Sequence, residues 1–326
     1  MPFVRVAMLP SLLTLGNFTC GFVAIVLSLN AVRDHMRAEA MIVRESISAV
    51  PAQANAGAAS ADASPARTEA SRSADKWRDS AGRFLLYACL LVFLGMIFDT
   101  LDGRVARLTG TESRFGAELD SLADVCTFGL APAVLVATNW ILALPDGKSW
   151  WGQVLFFSAG YAACAALRLA RYNVETGPGD RNFFHGLPSP GAAGCLVSTS
   201  LLLRSTSFHE EWWIRLAAWT GERMNPDEAQ ARVLACYALF IGFLMVTRVA
   251  FIHVPNRFLS GHRHFTSLVL TVFAVVALVL QPFWVLALSF NGYAVWCLLA
   301  HGWRRFARRR PRAPLAENSA KQGTPP

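Results

Sequence analysis

The chain has 326 residues, of which 54% are hydrophobic and only 16% are charged. Soluble domains average about 25% charged residues, so this composition excludes an ordinary soluble enzyme, a disordered protein and a disulfide-stapled secreted domain. The net charge is +8, but much of it lies at 304–312, directly after an apolar stretch. A basic cluster in that place indicates either contact with anionic lipid headgroups or a signal that sets membrane topology. We therefore expect no nucleic acid among the partners.

Eight apolar stretches approach the roughly 20 residues that a helix needs to cross a bilayer. They lie at 10–30, 84–100, 119–142, 151–169, 187–203, 233–251, 265–280 and 283–303. The first follows Arg5 as a signal peptide would, but its length and its interrupting polar residues favour a retained helix. We therefore expect an all-α polytopic membrane protein with about eight transmembrane helices.

Lys and Arg are unevenly distributed among the short loops. The loops after the second, fourth and sixth apolar stretches are basic, as is the C-terminal tail, whereas the opposite short loops carry little positive charge. Because cytoplasmic loops are enriched in Lys and Arg, both termini and these three loops are predicted to be cytoplasmic. The membrane would be the cytoplasmic membrane of a prokaryote.

The connections between the apolar stretches suggest a division of the chain. Residues 31–83 are first mixed in charge and then Ala/Ser-rich, and we predict a disordered insertion outside the cytoplasm. The connection 205–232 contains three tryptophans, which suggest either an interfacial helix or a loop. The remaining parts are the first helix of a core (1–30), the rest of that core (84–251), a C-terminal helix pair (252–303) and a basic, disordered cytoplasmic tail (304–326).

Four carboxylates with helical spacing lie at or near membrane depth. Asp99 and Asp102 are three residues apart, and Asp120 and Asp124 are four apart, so each pair shares one face of its helix. Carboxylates at this depth are costly and usually functional. Two helices joined by a turn around Gly110 can bring all four together.

Four close carboxylates repel one another unless cations lie between them. Ligands that are all oxygen select Mg²⁺, Mn²⁺ or Ca²⁺, and the lack of His or Cys among these candidates argues against zinc. A metal pair held by carboxylates suits diphosphate chemistry. Arg107 lies about one turn further on as a phosphate partner, and Gly103 and Gly116 leave room for a bulky ligand.

The pattern Asp-x2-Asp-Gly-x2-Ala-Arg-x8-Gly-x3-Asp-x3-Asp, filled from Asp99 to Asp124, resembles the signature of the CDP-alcohol phosphotransferase family. The resemblance implies a six-helix catalytic core around a cytoplasm-facing cavity with two divalent cations, Mg²⁺ or Mn²⁺. It implies that Asp124 is the catalytic base. It also implies that the metal ligands are Asp99, Asp102, Asp120 and Asp124. The residues that would bind CDP-diacylglycerol are Gly103, Ala106, Arg107 and Gly116.

Two further stretches resemble the branch of that family whose acceptor is serine. They are 9–25, in which Ser11 replaces the Asn often found in that branch, and 166–175 together with 184–194. The resemblance implies transfer of the phosphatidyl group of CDP-diacylglycerol to the hydroxyl of L-serine, which gives phosphatidylserine and CMP. Candidate serine-binding residues are Asn17, Arg168, Arg171 and Asn173, although the arginines equally suit topology markers or lipid-phosphate anchors.

Two alternatives to this function stay open. The first is a different acceptor, namely glycerol 3-phosphate, inositol phosphate or choline. The second is a divalent-cation transporter or a metal-binding membrane scaffold, but ion passage does not need the phosphate-binding Arg107 beside the carboxylates. Small residues within 160–166 indicate close helix packing or the face of a homodimer.

Overall fold

The computed structural model describes residues 8–55, 65–111, 113–143, 151–175, 184–205, 226–247, 249–251 and 265–308. Within these ranges the chain forms nine α-helices, one π-helical turn and one pair of two-residue strands. They are α1 (Met8–Asn55), α2 (Pro65–Thr109), α3 (Arg114–Asp124), the π-helical turn (Val125–Leu130), α4 (Ala131–Ala143), α5 (Trp151–Glu175), β1 (Phe184–His185), α6 (Ser189–Ser205), α7 (Pro226–Val246), β2 (Ala250–Phe251), α8 (Phe265–Leu280) and α9 (Pro282–Arg308).

The protein is an all-α integral membrane protein, as its composition predicts. Six helical stretches are long and apolar enough to cross a bilayer, namely Met8–Ile47, Ser71–Thr109, Arg114–Ala143, Gly152–Val174, Asp227–Val246 and Pro282–Trp303. The other two predicted spans correspond to α6, with 17 residues, and α8, with 16 residues. Each of the eight predicted apolar stretches therefore contains a helix, and six of these helices have the full spanning length.

The disorder predicted for 31–83 is wrong wherever the structure describes this segment. Helix α1 continues to Asn55 and helix α2 already begins at Pro65, so 31–55 and 65–83 are helical, and 56–64 lie outside the described residues. At about 1.5 Å per residue, helices of 48 and 45 residues are roughly 70 Å long. This length is about twice the thickness of a bilayer's hydrocarbon core.

Small residues at seven-residue spacing explain why the two helices stay paired beyond the apolar spans. The buried alanines of this seam recur every seventh residue in both helices, at Ala24, Ala31 and Ala38 in α1 and at Ala74, Ala81 and Ala88 in α2, each at most 1% exposed. A heptad repeat keeps one seam facing the partner helix, and alanine lets the two backbones approach closely. Alanine also has the highest helix propensity. An Ala/Ser-rich segment can therefore form a helix even though its composition resembles that of a linker.

Polar contacts fix the register of the α1–α2 pair beyond the apolar spans. The buried carboxylate of Asp34 accepts a hydrogen bond from Ser80 at 2.9 Å and is also paired with Arg33 and Arg37. Arg78 and Glu39 form an ion pair at 2.8 Å. Because α1 numbers rise while their α2 partners fall, these contacts make the pair antiparallel.

Helix α6 lies at the centre of the helices outside the α1–α2 extension. Backbone hydrogen bonds connect the segment before α6 to the end of α7 and the segment that follows it. Strand β1 pairs antiparallel with β2, with Phe184 opposite Phe251. Between β1 and α6, Gly186 has a φ of +93° and donates its N–H to Val249 at 2.8 Å. A Cβ on Gly186 would lie 2.1 Å from the carbonyl oxygen of Met245, so only glycine fits there.

Some predicted boundaries need correction. The sixth apolar stretch, predicted at 233–251, is α7 at Pro226–Val246, because Ala250 and Phe251 pair with β1 instead. The basic tail predicted to begin at 304 starts as the last turn of α9, which ends at Arg308. The rest of that tail, 309–326, and the tryptophan-rich segment 206–225 lie outside the described residues.

Candidate active site

Three of the four motif carboxylates converge at one point between α2 and α3. Ligand oxygens of Asp99, Asp120 and Asp124 all lie within 4.8 Å of one another. Asp102 is on the same α2 face as Asp99 and is only 4% exposed. The helical spacing therefore brings Asp99 together with Asp120 and Asp124, whereas Asp102, also predicted to converge with them, lies outside this group of three.

A tight connection between the two helices produces this convergence. Helix α2 ends at Thr109, and Gly110 follows with a φ of +62°, a conformation that favours glycine. The Ser113 side chain then caps α3, since its hydroxyl accepts a hydrogen bond from the Gly116 N–H at 3.0 Å. The chain thus reverses within a few residues, and the two carboxylate pairs face each other.

The chemistry of this cluster fits a hard divalent cation. One side-chain oxygen each of Asp102 and Asp120 is buried without a hydrogen-bond partner in the described part of the chain. Three carboxylates within 4.8 Å are mutually repulsive unless a cation or protons neutralise them. Oxygen ligands at such separations suit Mg²⁺ or Mn²⁺.

Asn17 lies against the carboxylate cluster. Its side chain is fully buried, and its Nδ2 donates to Asp124 Oδ1 at 3.4 Å. The Asn17 backbone carbonyl accepts a second bond, from the Thr127 hydroxyl at 2.8 Å. Asn17, a candidate serine-binding residue, therefore contacts Asp124 directly.

Arg168 supplies a positive charge beside the carboxylates. It is close enough to Asp124 and Asp99 for their charges to interact. Its Nη1 donates to the Ser189 hydroxyl at 2.6 Å, and its guanidinium lies 6.0 Å from the centre of the Tyr172 ring. The site thus combines a metal-suited anionic cluster with one oriented guanidinium.

The other two candidate serine-binding residues join neighbouring helix ends. Arg171 donates to the backbone carbonyl of Val246, at the end of α7, at 3.4 Å. Asn173 Nδ2 donates to the Ser121 hydroxyl on α3 at 3.1 Å. Arg171 thus joins the end of α5 to the end of α7, and Asn173 joins the end of α5 to α3.

The residues suggested for nucleotide binding line the last turns of α2 and the start of α3. Arg107 is exposed, and its Nη2 would lie 3.8 Å from a Cβ on Gly103. Ala106 and Gly116 are partly exposed. This surface is next to the carboxylates and open to a ligand.

Two residues in the site were missed by the sequence reasoning. Thr127 and Ser189 hold Asn17 and Arg168 respectively. Their partners are 110 and 21 residues away along the chain, so no local pattern marks them. The only sequence signals are that Thr127 lies three residues after Asp124 and that Ser189 lies within the stretch 184–194.

Comparison with known proteins agrees with the motif. A family model described as CDP-alcohol phosphatidyltransferase matches residues 80–222. A Methanocaldococcus jannaschii protein named CDP-diacylglycerol–serine O-phosphatidyltransferase is 31% identical over 207 residues, which cover 60% of this chain and 84% of that protein. The chain belongs to the CDP-alcohol phosphatidyltransferase family. The family resemblance predicted from the sequence is thereby confirmed.

Other relatives with the same name as the Methanocaldococcus jannaschii protein match over smaller shares of their own length. A Mycobacterium leprae protein is 35% identical over 215 residues, 62% of this chain and 62% of the relative. A Helicobacter pylori protein, of strain 26695, is 44% identical over 123 residues, 38% of this chain and 49% of the relative. The chain therefore spans about three fifths of the first and about half of the second.

Proposed function

We propose that this protein transfers the phosphatidyl group of CDP-diacylglycerol to the hydroxyl of L-serine, forming phosphatidylserine and CMP. The observation that carries the proposal is the convergence of Asp99, Asp120 and Asp124 within 4.8 Å inside a complete family motif. Relatives named for this reaction support it. In a metal transporter, a phosphate-binding arginine beside the carboxylates would have no role.

The carboxylates would hold the divalent cations, with Asp99, Asp102 and Asp120 around one ion and Asp99, Asp120 and Asp124 around the other. Bound Mg²⁺ or Mn²⁺ would neutralise the diphosphate and stabilise the entering and leaving oxygens. Gly103, Ala106, Arg107 and Gly116 would bind the CDP part, with Arg107 on its phosphates.

Asp124 would act as the general base. Its carboxylate takes the proton of the serine hydroxyl while the serine oxygen attacks the phosphorus that bears the diacylglycerol. The new P–O bond forms as the bond to the bridging oxygen breaks, and CMP leaves with that oxygen. Asn17 donates to Asp124 Oδ1 at 3.4 Å. This hydrogen bond would orient the carboxylate so that its other oxygen accepts the proton.

Serine would be bound next to the metal cluster by Arg168. The carboxylate of the serine substrate matches the fork of the Arg168 guanidinium. The Ser189 hydroxyl orients this guanidinium by accepting a hydrogen bond from its Nη1 at 2.6 Å. Arg171 and Asn173 lie at the same end of the bundle, where they would form the outer wall of the serine site. A phosphorylated acceptor would favour a denser cationic pocket, but Arg168 and Arg171 do not exclude one. The choice of serine over glycerol 3-phosphate or inositol phosphate therefore rests on the relatives named for the serine reaction.

We further propose the orientation and the assembly of the protein. Helices α2, α5 and α7 end on the side of the bundle that holds the carboxylates, and the sequence that follows each of them is basic. By the positive-inside rule, the site would lie on the cytoplasmic face of the membrane. The paired extensions of α1 and α2 then project from the opposite face. In a homodimer the contact would use the exposed Ala163 and Ala166 of α5, because Gly160 packs against Leu239.

A product assay on membranes containing the expressed chain tests the reaction. CDP-diacylglycerol and Mn²⁺ are supplied with L-serine, glycerol 3-phosphate, inositol phosphate or choline in parallel, and CMP release and lipid product are followed. Serine-dependent release that is lost in Asp124→Asn supports the proposal. Release with a different acceptor alone would reassign the substrate, and no release from a folded, Mn²⁺-binding protein would favour a scaffold or transporter.

A further inference from the structure

The π-helical turn that follows Asp124 directs one hydroxyl into the contact between α1 and α2. The turn comprises six residues, Val125–Leu130, and begins at the residue after Asp124. Its third residue, Thr127, is fully buried. Single π-helical turns inside α-helices are rare overall, but many of those that occur lie at functional sites. The extra residue in the turn redirects the side chains around it.

Two glycines make room for Thr127 between the first two helices. A Cβ on Gly21 of α1 would lie 2.4 Å from Thr127 Oγ1 and 2.6 Å from its Cα. A Cβ on Gly95 of α2 would lie 2.6 Å from Thr127 Cγ2. A real Cβ could not lie at any of these distances, so the Thr127 backbone packs directly against Gly21 and its methyl group packs against Gly95.

Thr127 is linked to the catalytic carboxylate through Asn17. The Thr127 hydroxyl donates to the Asn17 carbonyl at 2.8 Å, and the Asn17 side chain donates to Asp124 Oδ1 at 3.4 Å. A Cβ on Gly95 would also lie 2.9 Å from Asn17 Oδ1, so the amide is confined from that side. Thr127 therefore binds the Asn17 backbone, and the Asn17 side chain lies between Gly95 and Asp124.

We propose that Thr127 is a positioning residue, which fixes Asn17 and through it the orientation of the Asp124 carboxylate. The role of Asp124 as the base rests on the proposed function. The effect of Thr127 on metal binding does not, because it requires only that Asp124 be a metal ligand. In this role Thr127 acts through Asn17 and not by contact with substrate or metal. Small displacements of a reacting group are costly, since a shift of about 1 Å can reduce the rate about 100-fold.

A purely structural role for Thr127 predicts different behaviour. If the residue only filled space, valine would replace it well, because valine has the same shape and burying it is favourable. If the hydroxyl positions Asn17, valine should damage the site and serine should not, since serine keeps the donor and loses only a methyl group.

The test compares Thr127→Val and Thr127→Ser with Thr138→Val, in full-length protein purified in detergent. Thr138 is 1% exposed and lies three turns further along the same helical stretch, so it controls for the loss of a buried hydroxyl. Mn²⁺ affinity is measured by electron paramagnetic resonance titration, and kcat and KM by CMP release. Monodispersity on size exclusion verifies that each variant is folded.

Thr127→Val should weaken Mn²⁺ binding and lower kcat, each about 10-fold, as expected for a residue that orients a ligand's partner. The KM for the CDP-lipid should change less than about two-fold, and Thr127→Ser and Thr138→Val should stay within about three-fold of the wild type in every parameter. Equal losses in Thr127→Ser and Thr127→Val, or equal losses in Thr138→Val, would overturn the proposal.

A double-mutant cycle guards against a Thr127→Val chain that folds poorly. In an Asn17→Ala background the amide is gone, so adding Thr127→Val should cost less than about two-fold in Mn²⁺ affinity. A full 10-fold loss there would mean that Thr127 acts without Asn17, and the proposal would fail. Because Mn²⁺ binding does not depend on turnover, a wild type that releases no CMP would refute the proposed function while this test stays valid.

Discussion

Arg168 donates a hydrogen bond to the Ser189 hydroxyl at 2.6 Å, which joins α5 to the first residue of α6. Ser189 is only 3% exposed, and the preceding Gly186 is clasped to Val249 by a backbone hydrogen bond at 2.8 Å. The orientation of the guanidinium therefore depends on a loop that β1, β2 and α7 hold in place.

Replacing Ser189 with alanine should raise the KM for serine about three- to ten-fold. The hydroxyl accepts one N–H of Arg168, and a three- to ten-fold change corresponds to about 0.7–1.4 kcal/mol, part of the free energy of one hydrogen bond to a charged group. The KM for CDP-diacylglycerol should change little, because the lipid does not depend on this arginine. Steady-state CMP release with each substrate varied in turn measures both constants.

Ser198→Ala is the matched control for that variant. Ser198 is in the same helix and fully buried, but its hydroxyl donates within α6 to the Cys195 carbonyl at 3.2 Å. It should leave both KM values within about two-fold. An equal rise in the serine KM for both variants would mean that α6 is generally perturbed rather than that Arg168 is released.

Arg168→Lys and Arg171→Lys should differ in their effects on serine. Lysine keeps the charge but lacks the planar fork that binds a carboxylate through two parallel bonds. At Arg168 the change should raise the KM for serine about 10-fold, because one good hydrogen bond, about 1.4 kcal/mol, is lost. At Arg171, whose guanidinium donates to the Val246 carbonyl at 3.4 Å, the change should stay below about three-fold.

The comparison between the two substrates decides the role of Arg168. If the KM for CDP-diacylglycerol rises as much as that for serine, the guanidinium contacts the diphosphate or the lipid phosphate instead. If only the serine KM rises, the carboxylate contact is supported. Parallel titrations of serine at saturating lipid, and of lipid at saturating serine, separate these outcomes.

The carboxylate site was predictable because its information is local. Asp99, Asp102, Asp120 and Asp124 lie on two consecutive helices, so helical spacing and one short turn determine their meeting. The support for that site was not predictable, since Thr127 and Asn17 are 110 residues apart and meet only after the bundle has packed. The π-helical turn likewise has no pattern of hydrophobic residues that would distinguish it from the α-helix around it.

The α1–α2 extension was mispredicted for a different physical reason. Hydropathy and charge describe 31–83 as a linker, whereas helix propensity and alanine spacing describe a paired helix. The alanines at 31, 38, 74 and 81 bury little area each, but they allow close backbone packing, and the buried Asp34 adds a specific polar contact with Ser80. Pairing with a second helix, which a single-helix pattern does not contain, determines the outcome.

Introducing a large side chain into this alanine seam should destabilise the protein. Ala81 is 1% exposed and faces α1, so Ala81→Leu should cost about 1–3 kcal/mol through overpacking. The apparent melting temperature of the purified protein in detergent should fall by several degrees. Ala40→Leu, on the exposed face of α1, should leave it within about one degree, since leucine and alanine are both good helix formers. A disordered extension would instead tolerate both changes equally.

Removal of the divalent cation should abolish turnover and should be reversed by oxygen-preferring ions. Chelation is expected to stop CMP release, and Mg²⁺ or Mn²⁺ should restore it, whereas Zn²⁺, which prefers nitrogen and sulfur ligands, should not. Asp120→Asn should weaken Mn²⁺ binding more than about 10-fold, because its carboxylate is one of the three within 4.8 Å. Glu118→Gln removes the same charge from an exposed position on the same helix and should leave the Mn²⁺ affinity within about two-fold. Equal weakening in both variants would indicate that Mn²⁺ binds diffusely to acidic surface, and coordination by the converging carboxylates would then be wrong.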